Sequence, residues 1–187
     1  VSAGPLFQLF DIDSSDNVGL IITSGDLNGV ENATLFNSKA YLGARLQANL
    51  DARNNKIIPT RGIYWETYLQ TATGTNTNTS SVTQMSTDMS VYISFKVPTD
   101  IVIGLRAGAG INFGDYEFYQ AQHLGGTDNL RGFRKYRFTG DKMFFNNIDL
   151  RLRIADFRGY IIPGSFGLVA FHDIGRVWVD GESSSTW

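Results

Sequence analysis

The stretch Met85-Ser86-Thr87-Asp88-Met89-Ser90-Val91-Tyr92-Ile93-Ser94-Phe95-Lys96-Val97, followed after Pro98-Thr99-Asp100 by Ile101-Val102-Ile103-Gly104-Leu105-Arg106-Ala107-Gly108-Ala109-Gly110-Ile111-Asn112-Phe113, decides the fold class. In its first half Met85, Thr87, Met89, Val91, Ile93, Phe95 and Val97 alternate with Gln84, Ser86, Asp88, Ser90, Tyr92, Ser94 and Lys96. In its second half Ile101, Ile103, Leu105, Ala107, Ala109, Ile111 and Phe113 alternate with Val102, Gly104, Arg106, Gly108, Gly110 and Asn112. A two-residue period on both sides of a short turn is the pattern of a strand hairpin with one apolar and one polar face.

Working outward, the same period runs through Ala40, Leu42, Ala44, Leu46, Ala48 and Leu50 against Tyr41, Gly43, Arg45, Gln47, Asn49 and Asp51. Ile148, Leu150, Leu152 and Ile154 repeat it against Asn147, Asp149, Arg151 and Arg153, as do Ile63 to Ala72 and, less cleanly, Ser165 to Val179. Val1 to Asp13 reads as one more strand of unclear parity. A soluble sandwich also alternates, so length has to discriminate. Soluble strands cluster near five or six residues, whereas a strand tilted across a bilayer needs about nine to eleven. Several segments here belong to the longer class, and the apolar faces of four of them carry no charge, as a lipid solvent would select.

The connections are unequal. Pro98-Thr99-Asp100 and Phe157-Arg158-Gly159-Tyr160 leading to Pro163-Gly164 are short, while Ser14 to Ser38, Thr71 to Val82 and Gly114 to Lys142 are long and polar. Short turns on one rim and long loops on the other match the two ends of an outer-membrane barrel. The expectation is an all-β, antiparallel transmembrane barrel, with residues 1–187 forming part of one barrel domain and supplying about seven strands. Bacterial single-chain barrels use an even number, so the odd count and the start at Val1-Ser2-Ala3-Gly4-Pro5, which carries no targeting signal, read as a piece of a longer precursor.

Composition narrows the function classes. Sixteen Lys and Arg against eighteen Asp and Glu leave a net charge of −2, which argues against a nucleic-acid footprint. The absence of cysteine excludes disulfide frameworks, zinc–thiolate sites and cysteine nucleophiles. His123 and His172 stand in no His-Glu-x-x-His or Gly-x-Ser-x-Gly arrangement, and the Ala-Gly-Ala-Gly run lacks the third glycine and the helix of a nucleotide fingerprint. Asp11, Asp13 and Asp16 have a calcium-like spacing without the required glycine and closing glutamate. No catalytic residue, metal or cofactor is therefore expected. Trp65, Trp178 and Trp187 suit aromatic girdles, although β-propensity alone would also favour them. Gly104, Gly108 and Gly110 either leave room on a lumen wall or relieve crowding and add twist.

Leu124-Gly125-Gly126-Thr127-Asp128-Asn129-Leu130-Arg131-Gly132-Phe133, in the longest late loop, resembles the sixth-loop signature of the bacterial surface-antigen family of outer-membrane barrels, the BamA-type assembly proteins and their relatives. Gly125 and Gly126 match its paired glycines, and Leu130, Arg131, Gly132 and Phe133 match its Arg-Gly-Phe core. Asp51-Ala52-Arg53-Asn54 followed by Pro59-Thr60-Arg61-Gly62 looks like the family's periplasmic turn, matched at Asp51, Pro59, Thr60 and Gly62, with Asn54 where the family has a second acid. Phe171-His172-Asp173-Ile174-Gly175-Arg176-Val177-Trp178 looks like its Asp-x-Gly-x-Val-Trp strand end.

The resemblance covers Ala40 to Trp178 well and implies a sixteen-stranded barrel preceded by periplasmic repeats, with the closing strands outside this chain. It further implies a loop folded into the lumen, its Arg131 paired with Asp149 and Asp173, in a structural rather than catalytic role. The implied function is non-enzymatic: folding and inserting β-barrel proteins into the outer membrane of a Gram-negative bacterium. The implied partners are membrane lipid, unfolded barrel clients and periplasmic or lipoprotein accessory subunits. The same motifs also fit a secretion transporter exporting a passenger, or the membrane anchor of a fused hydrolase; a passive porin is disfavoured because a seated plug opposes conductance.

Overall fold

The computed structural model describes residues 1–12, 36–77, 79–96, 99–159 and 162–181. Alternating sequence becomes strand throughout: β1 (Ser2–Phe10), β2 (Lys39–Asp51), β3 (Gly62–Gly74), β4 (Val82–Lys96), β5 (Asp100–Gly114), β6 (Gln122–Leu124), β7 (Phe138–Gly140), β8 (Lys142–Arg158) and β9 (Pro163–Trp178). Seven of them form one antiparallel sheet in the order β1-β2-β3-β4-β5-β8-β9, in which each strand pairs with the next large strand of the chain. β6 and β7 form a separate pair within the loop between β5 and β8.

The register puts like faces together. Met85 faces Ile111, Val91 faces Leu105 and Ile93 faces Ile103 across β4 and β5, and Leu105 and Ile103 face Ile148 and Leu150 across β5 and β8. Leu42, Leu46 and Leu50 continue this face on β2, and β1 joins it through Phe7 and Leu9, which settles its parity. This apolar face is the exposed one. Leu42, Leu46, Leu50, Met85, Met89, Ile93, Ile148 and Leu150 are all exposed, while Lys39, Gln70, Ser90, Asn112 and Asn147 are buried on the other face. A water-soluble fold buries the reverse selection; hydrocarbon outside and a polar interior give this one. Aromatic residues mark both ends of the outer face: Trp65, Phe95, Phe157 and Phe166 near the short turns, and Phe113, Phe144 and Trp178 near the long loops.

A bulge protects the partition. Arg153 faces Gly167, but Ala155 and not Ile154 faces Phe166, so the alternation on β8 shifts by one residue. Ile154, which the sequence pattern places on the regular apolar face, is the extra residue. Without the bulge Asp156 and Arg158 would follow Leu152 outward; with it they share the inner face with Arg153, which binds Asp156 at 2.7 Å. Bulges re-aim side chains in this manner. β9 explains its own unclean period: Val169 and Phe171 lie inward with Asp173, and His172 lies outward opposite Ile148. The longer strands also add Asn146 to the outer face, where its amide donates to the Arg106 carbonyl at 3.1 Å, and Lys142 and Arg176 at the Trp178 end.

Loop lengths differ from expectation at one point. Thr71 to Gly74 belong to β3, leaving seven residues (75–81) before β4, fewer than the ten (52–61) between β2 and β3. Most of the expected Ser14–Ser38 loop, Asp13, Asp16, Pro98, Tyr160 and Trp187 lie outside the described residues; Asp11 accepts a hydrogen bond from Ser38 Oγ at 3.0 Å. The sheet is curled about its polar face, because the loop between β5 and β8 touches both ends of it. Tyr119 stacks on Phe10 of β1 at 4.1 Å, while Arg131 reaches Asp173 of β9.

Leu105→Lys, near the middle of β5 on the outer face, is expected to lower the unfolding free energy of the full-length protein in lipid vesicles by about 2–4 kcal/mol. Gln47→Lys, on the inner face of β2 beside Glu66, should cost less than about 1 kcal/mol in the same urea titration. Equal losses would contradict the assignment of the two faces.

Candidate functional site

Residues 115–141 fold over the inner face of the sheet as a second layer. A short 3-10 helix, Phe118–Gln120, sets its first contacts. Lys39 Nζ pairs with Glu117, and Gln84 and Asn112 both donate to the carbonyl of Gln120, at 2.5 and 2.8 Å. Gln122 Nε2 then donates to Asn112 Oδ1 at 2.6 Å. The apolar anchor is a small cluster of Leu124, Leu130 and Phe145, with Phe138, Met143 and Val177 packed against it. The glycines of β5 make this approach possible. A Cβ on Gly108 would stand 2.3 Å from the Phe145 ring, and one on Gly110 would stand 2.2 Å from Gln122 Oε1. Both readings of those glycines therefore reduce to one at Gly108 and Gly110: the empty space is occupied by the loop and its anchor.

The motif itself is a tight fold-back. Gly125 and Gly126 have φ of +123° and +90°, where a side chain is strained. Asn129 closes the turn, accepting from the Gly125 amide at 2.8 Å and donating to the His123 carbonyl at 3.0 Å. Gly126 bridges to Leu130, and its amide donates to the Phe133 carbonyl at 3.0 Å. Leu130 is thereby pressed into the apolar cluster, while Phe133 sits edge-on to Phe138 and remains half exposed. Gly132, at φ +89°, turns the chain away immediately after Arg131.

Arg131 is gripped from three directions. Its Nε donates to Asp173 Oδ2 at 2.8 Å, its Nη2 to Asp173 Oδ1 at 2.5 Å, and Nη2 also to Asp149 Oδ1 at 2.9 Å. Its backbone amide donates to Asp173 Oδ2 at 2.9 Å, and its guanidinium lies 4.2 Å over the Phe171 ring. These bonds, those to Asp173 foremost, raise the guanidinium pKa above its ordinary value and keep it charged. Such charge-assisted fork pairs are strong and directional. The Asp173 side chain is only 4% exposed, so losing Arg131 would leave a nearly enclosed carboxylate without its counter-ion.

The structure adds residues that belong to none of the sequence motifs. Arg106 donates to both oxygens of Asp88, at 3.0 Å from Nε and 2.5 Å from Nη2, and its Nη1 donates to the Asp128 carbonyl of the loop. Asn147 donates to the Asn129 carbonyl at 2.8 Å. The hairpin register places Asp88 opposite Gly108 and Arg106 opposite Ser90, so the ion pair is a diagonal one that strand counting around the turn could have found. The loop contacts could not be found that way.

The turn between β2 and β3 is built at the opposite end. Arg53 forms a two-pronged pair with Asp51, both bonds 2.8 Å, and lies 4.5 Å over the Tyr64 ring. Asn54 Oδ1 accepts from the amides of Thr60 and Arg61 at 3.0 Å each, and its Nδ2 donates to Thr60 Oγ1 at 2.8 Å. A carboxylate here would hold the same three groups by accepting from the hydroxyl as well; the asparagine reaches that hydroxyl as a donor instead. Gly62 opens β3 at φ +116°, where an added Cβ would stand 2.2 Å from the Ala52 carbonyl oxygen and clash with it. Pro59 is buried and its carbonyl points to β8, so this turn and the loop motif lie at opposite ends of one inner face.

The Omp85 superfamily domain matches residues 27–187. Among solved structures the chain is similar to BamA from Haemophilus ducreyi lacking POTRA domains 1–3, with a TM-score of 0.62 and 20% identity, over 76% of this chain and 31% of that chain. At that identity the likeness concerns the fold, and the chain spans about a third of the length of that structure. No curated protein matches the sequence.

Two outcomes test the site. Arg131→Ala should destabilise the loop's seat by about 3–5 kcal/mol, the cost of breaking a buried pair from one side, and should expose residues 124–140 to protease in the folded barrel. His123 packs 4.8 Å from the Tyr136 ring with Nδ1 buried and without a hydrogen-bond partner, and burial lowers its pKa. The unfolded segment then binds the proton better than the seated one. Seating is therefore at full strength above the ordinary histidine value of 6.5 and weakens as the pH falls below it. Protease sensitivity of the loop should rise between pH 7.5 and pH 5, and His123→Phe should remove that dependence.

Proposed function

The chain belongs to the Omp85 superfamily of outer-membrane β-barrel proteins, and from that premise we propose that it is the loop-plugged barrel part of an assembly factor that folds and inserts other β-barrel proteins into the outer membrane of a Gram-negative bacterium. The observation that carries this reading is the seat of Arg131. A loop held by Asp173, Asp149, Asn147, Arg106 and an apolar anchor fills the inner face and opposes open conductance. A protein built in this way acts with its wall and its outer surface, not through an open pore.

The role is mechanical and involves no covalent step. Backbone groups of a client strand are costly to carry unpaired into hydrocarbon, and a barrel that exposes strand edges at a seam can pair them during insertion. Residues 1–187 would supply the rigid wall opposite that work. Its sheet is continuous through 13- to 17-residue strands from β2 to β9, and the seated loop braces it from inside. Lipid, unfolded barrel clients and periplasmic accessory subunits are the partners of this reading.

The test reconstitutes the full-length protein in liposomes and follows folding of a urea-denatured model barrel by its shift in electrophoretic mobility. A rate at least tenfold above empty liposomes is expected, reduced severalfold by Arg131→Ala. An unchanged client folding rate, or large steady conductance in planar bilayers, would overturn the proposal; the first result accompanied by export of a passenger would point to a secretion transporter.

A further inference from the structure

Arg151 belongs to none of the sequence motifs, yet it stands between two of them. It lies on the inner face of β8, two residues from Asp149 and on the side toward the short turns. Its Nη1 donates to the Pro59 carbonyl at 3.2 Å, and its Nη2 donates to Asp149 Oδ2 at 3.3 Å. The other oxygen of Asp149 accepts from Arg131. One guanidinium and one carboxylate thus connect the β2–β3 turn to the lumen loop, across a sheet in which β2 and β8 are separated by β3, β4 and β5.

We propose that Arg151 is a positioning residue that couples the state of this turn to the seating of the loop. Both of its bonds, at 3.2 and 3.3 Å, are longer than a usual charge-assisted hydrogen bond, so neither holds the side chain tightly. A cavity of about 540 Å³, lined in part by Ile58, Thr60, Val102, Arg151 and Arg153, flanks the contact and leaves space beside the turn. Ile57 and Ile58, at the tip, are 89% and 64% exposed. When Pro59 withdraws, Arg151 keeps only Asp149 as a strong acceptor and turns fully toward it. Arg151 then competes with Arg131 for that carboxylate, and Arg131 is left to Asp173. A shift at the turn becomes a loosening of the loop, carried through a contiguous chain of bonds with two arrangements.

The experiment is a double-mutant cycle read by amide hydrogen exchange of residues 124–133 in the full-length protein in nanodiscs. Asn54→Ala removes the side chain that holds Thr60 and Arg61 and should release Pro59. It is expected to speed exchange of the loop about fivefold or more, and by less than twofold when Arg151 is replaced by Gln. The same acceleration in both backgrounds, or none in either, would overturn the coupling, because a purely structural Arg151 gives additive effects. Should Arg151→Gln fail to yield a heat-modifiable barrel, Arg151→Lys serves in its place, since one ammonium cannot reproduce the fork to both acceptors. The inference rests on the seated loop proposed above, and exchange needs no client. A failed insertion assay with intact coupling would refute only the assembly role, and additive exchange with active insertion only the coupling.

Discussion

A carboxylate enclosed on the wall of a barrel needs a cation, and Asp173 with its 4% exposed side chain is the point on which the inner layer turns. Arg131 meets that need with two side-chain bonds and its own backbone amide, so one acid fixes the position of both the side chain and the chain that carries it. The rest of the loop follows from this seat. Asn129 and the two glycines shape the approach, Leu130 fills the cluster beside Phe145, and Gly132 leads the chain away. On the wall, Gly108 and Gly110 give up their side chains so that Phe145 and Gln122 can occupy the space.

The second constraint is the solvent on each side. Polar groups gather within, where they pair with one another: Arg106 with Asp88, Gln47 with Glu66, Arg153 with Asp156. Apolar side chains face outward over long strands. A charge on the outer face costs about 2–4 kcal/mol near the bilayer centre, and the bulge at Ile154 shows how the fold avoids that cost: one extra residue returns Asp156 and Arg158 to the inside. The cations that do lie outward, Lys142 and Arg176, are at the end of β8 and β9 next to Trp178, where a membrane interface tolerates them.

What was legible in sequence was what alternation encodes. The faces of β2, β4 and β5 followed directly from period two, because each is regular and each faces two different solvents. Alternation failed where a strand departs from that rule. β8 carries a bulge that no local signal announces, and β9 places Val169 and Phe171 on the inner face, where Phe171 serves as a platform under Arg131. At the end of β3, Thr71, Thr73 and Gly74 have the composition of a loop; their strand character comes from pairing with Ala44, Leu42 and Tyr41. The positions of Arg131, Asp149 and Asp173 came from a family resemblance, since no periodicity places a loop against a wall. The contacts of Arg106, Asn147 and Arg151 with the loop and the turn carry no sequence signal for the same reason: those partners are backbone carbonyls of distant segments, which have no letter in the sequence.

The geometry also explains why the seat requires arginine. Lysine would bring an equal charge, but as a single compact point it could satisfy one carboxylate oxygen well and the others poorly. Arg131 presents Nε and Nη2 in one plane to the two oxygens of Asp173, and the same Nη2 reaches Asp149. Its flat face meanwhile covers Phe171, which an ammonium would contact over a smaller area. The planar group therefore joins β8 to β9 as well as the loop to both, and the adjacent strands are held at the spacing that suits the fork. Seat and wall define each other: the register of Asn147 opposite Asp173 brings the two acids within reach of one guanidinium, and the guanidinium rewards that register.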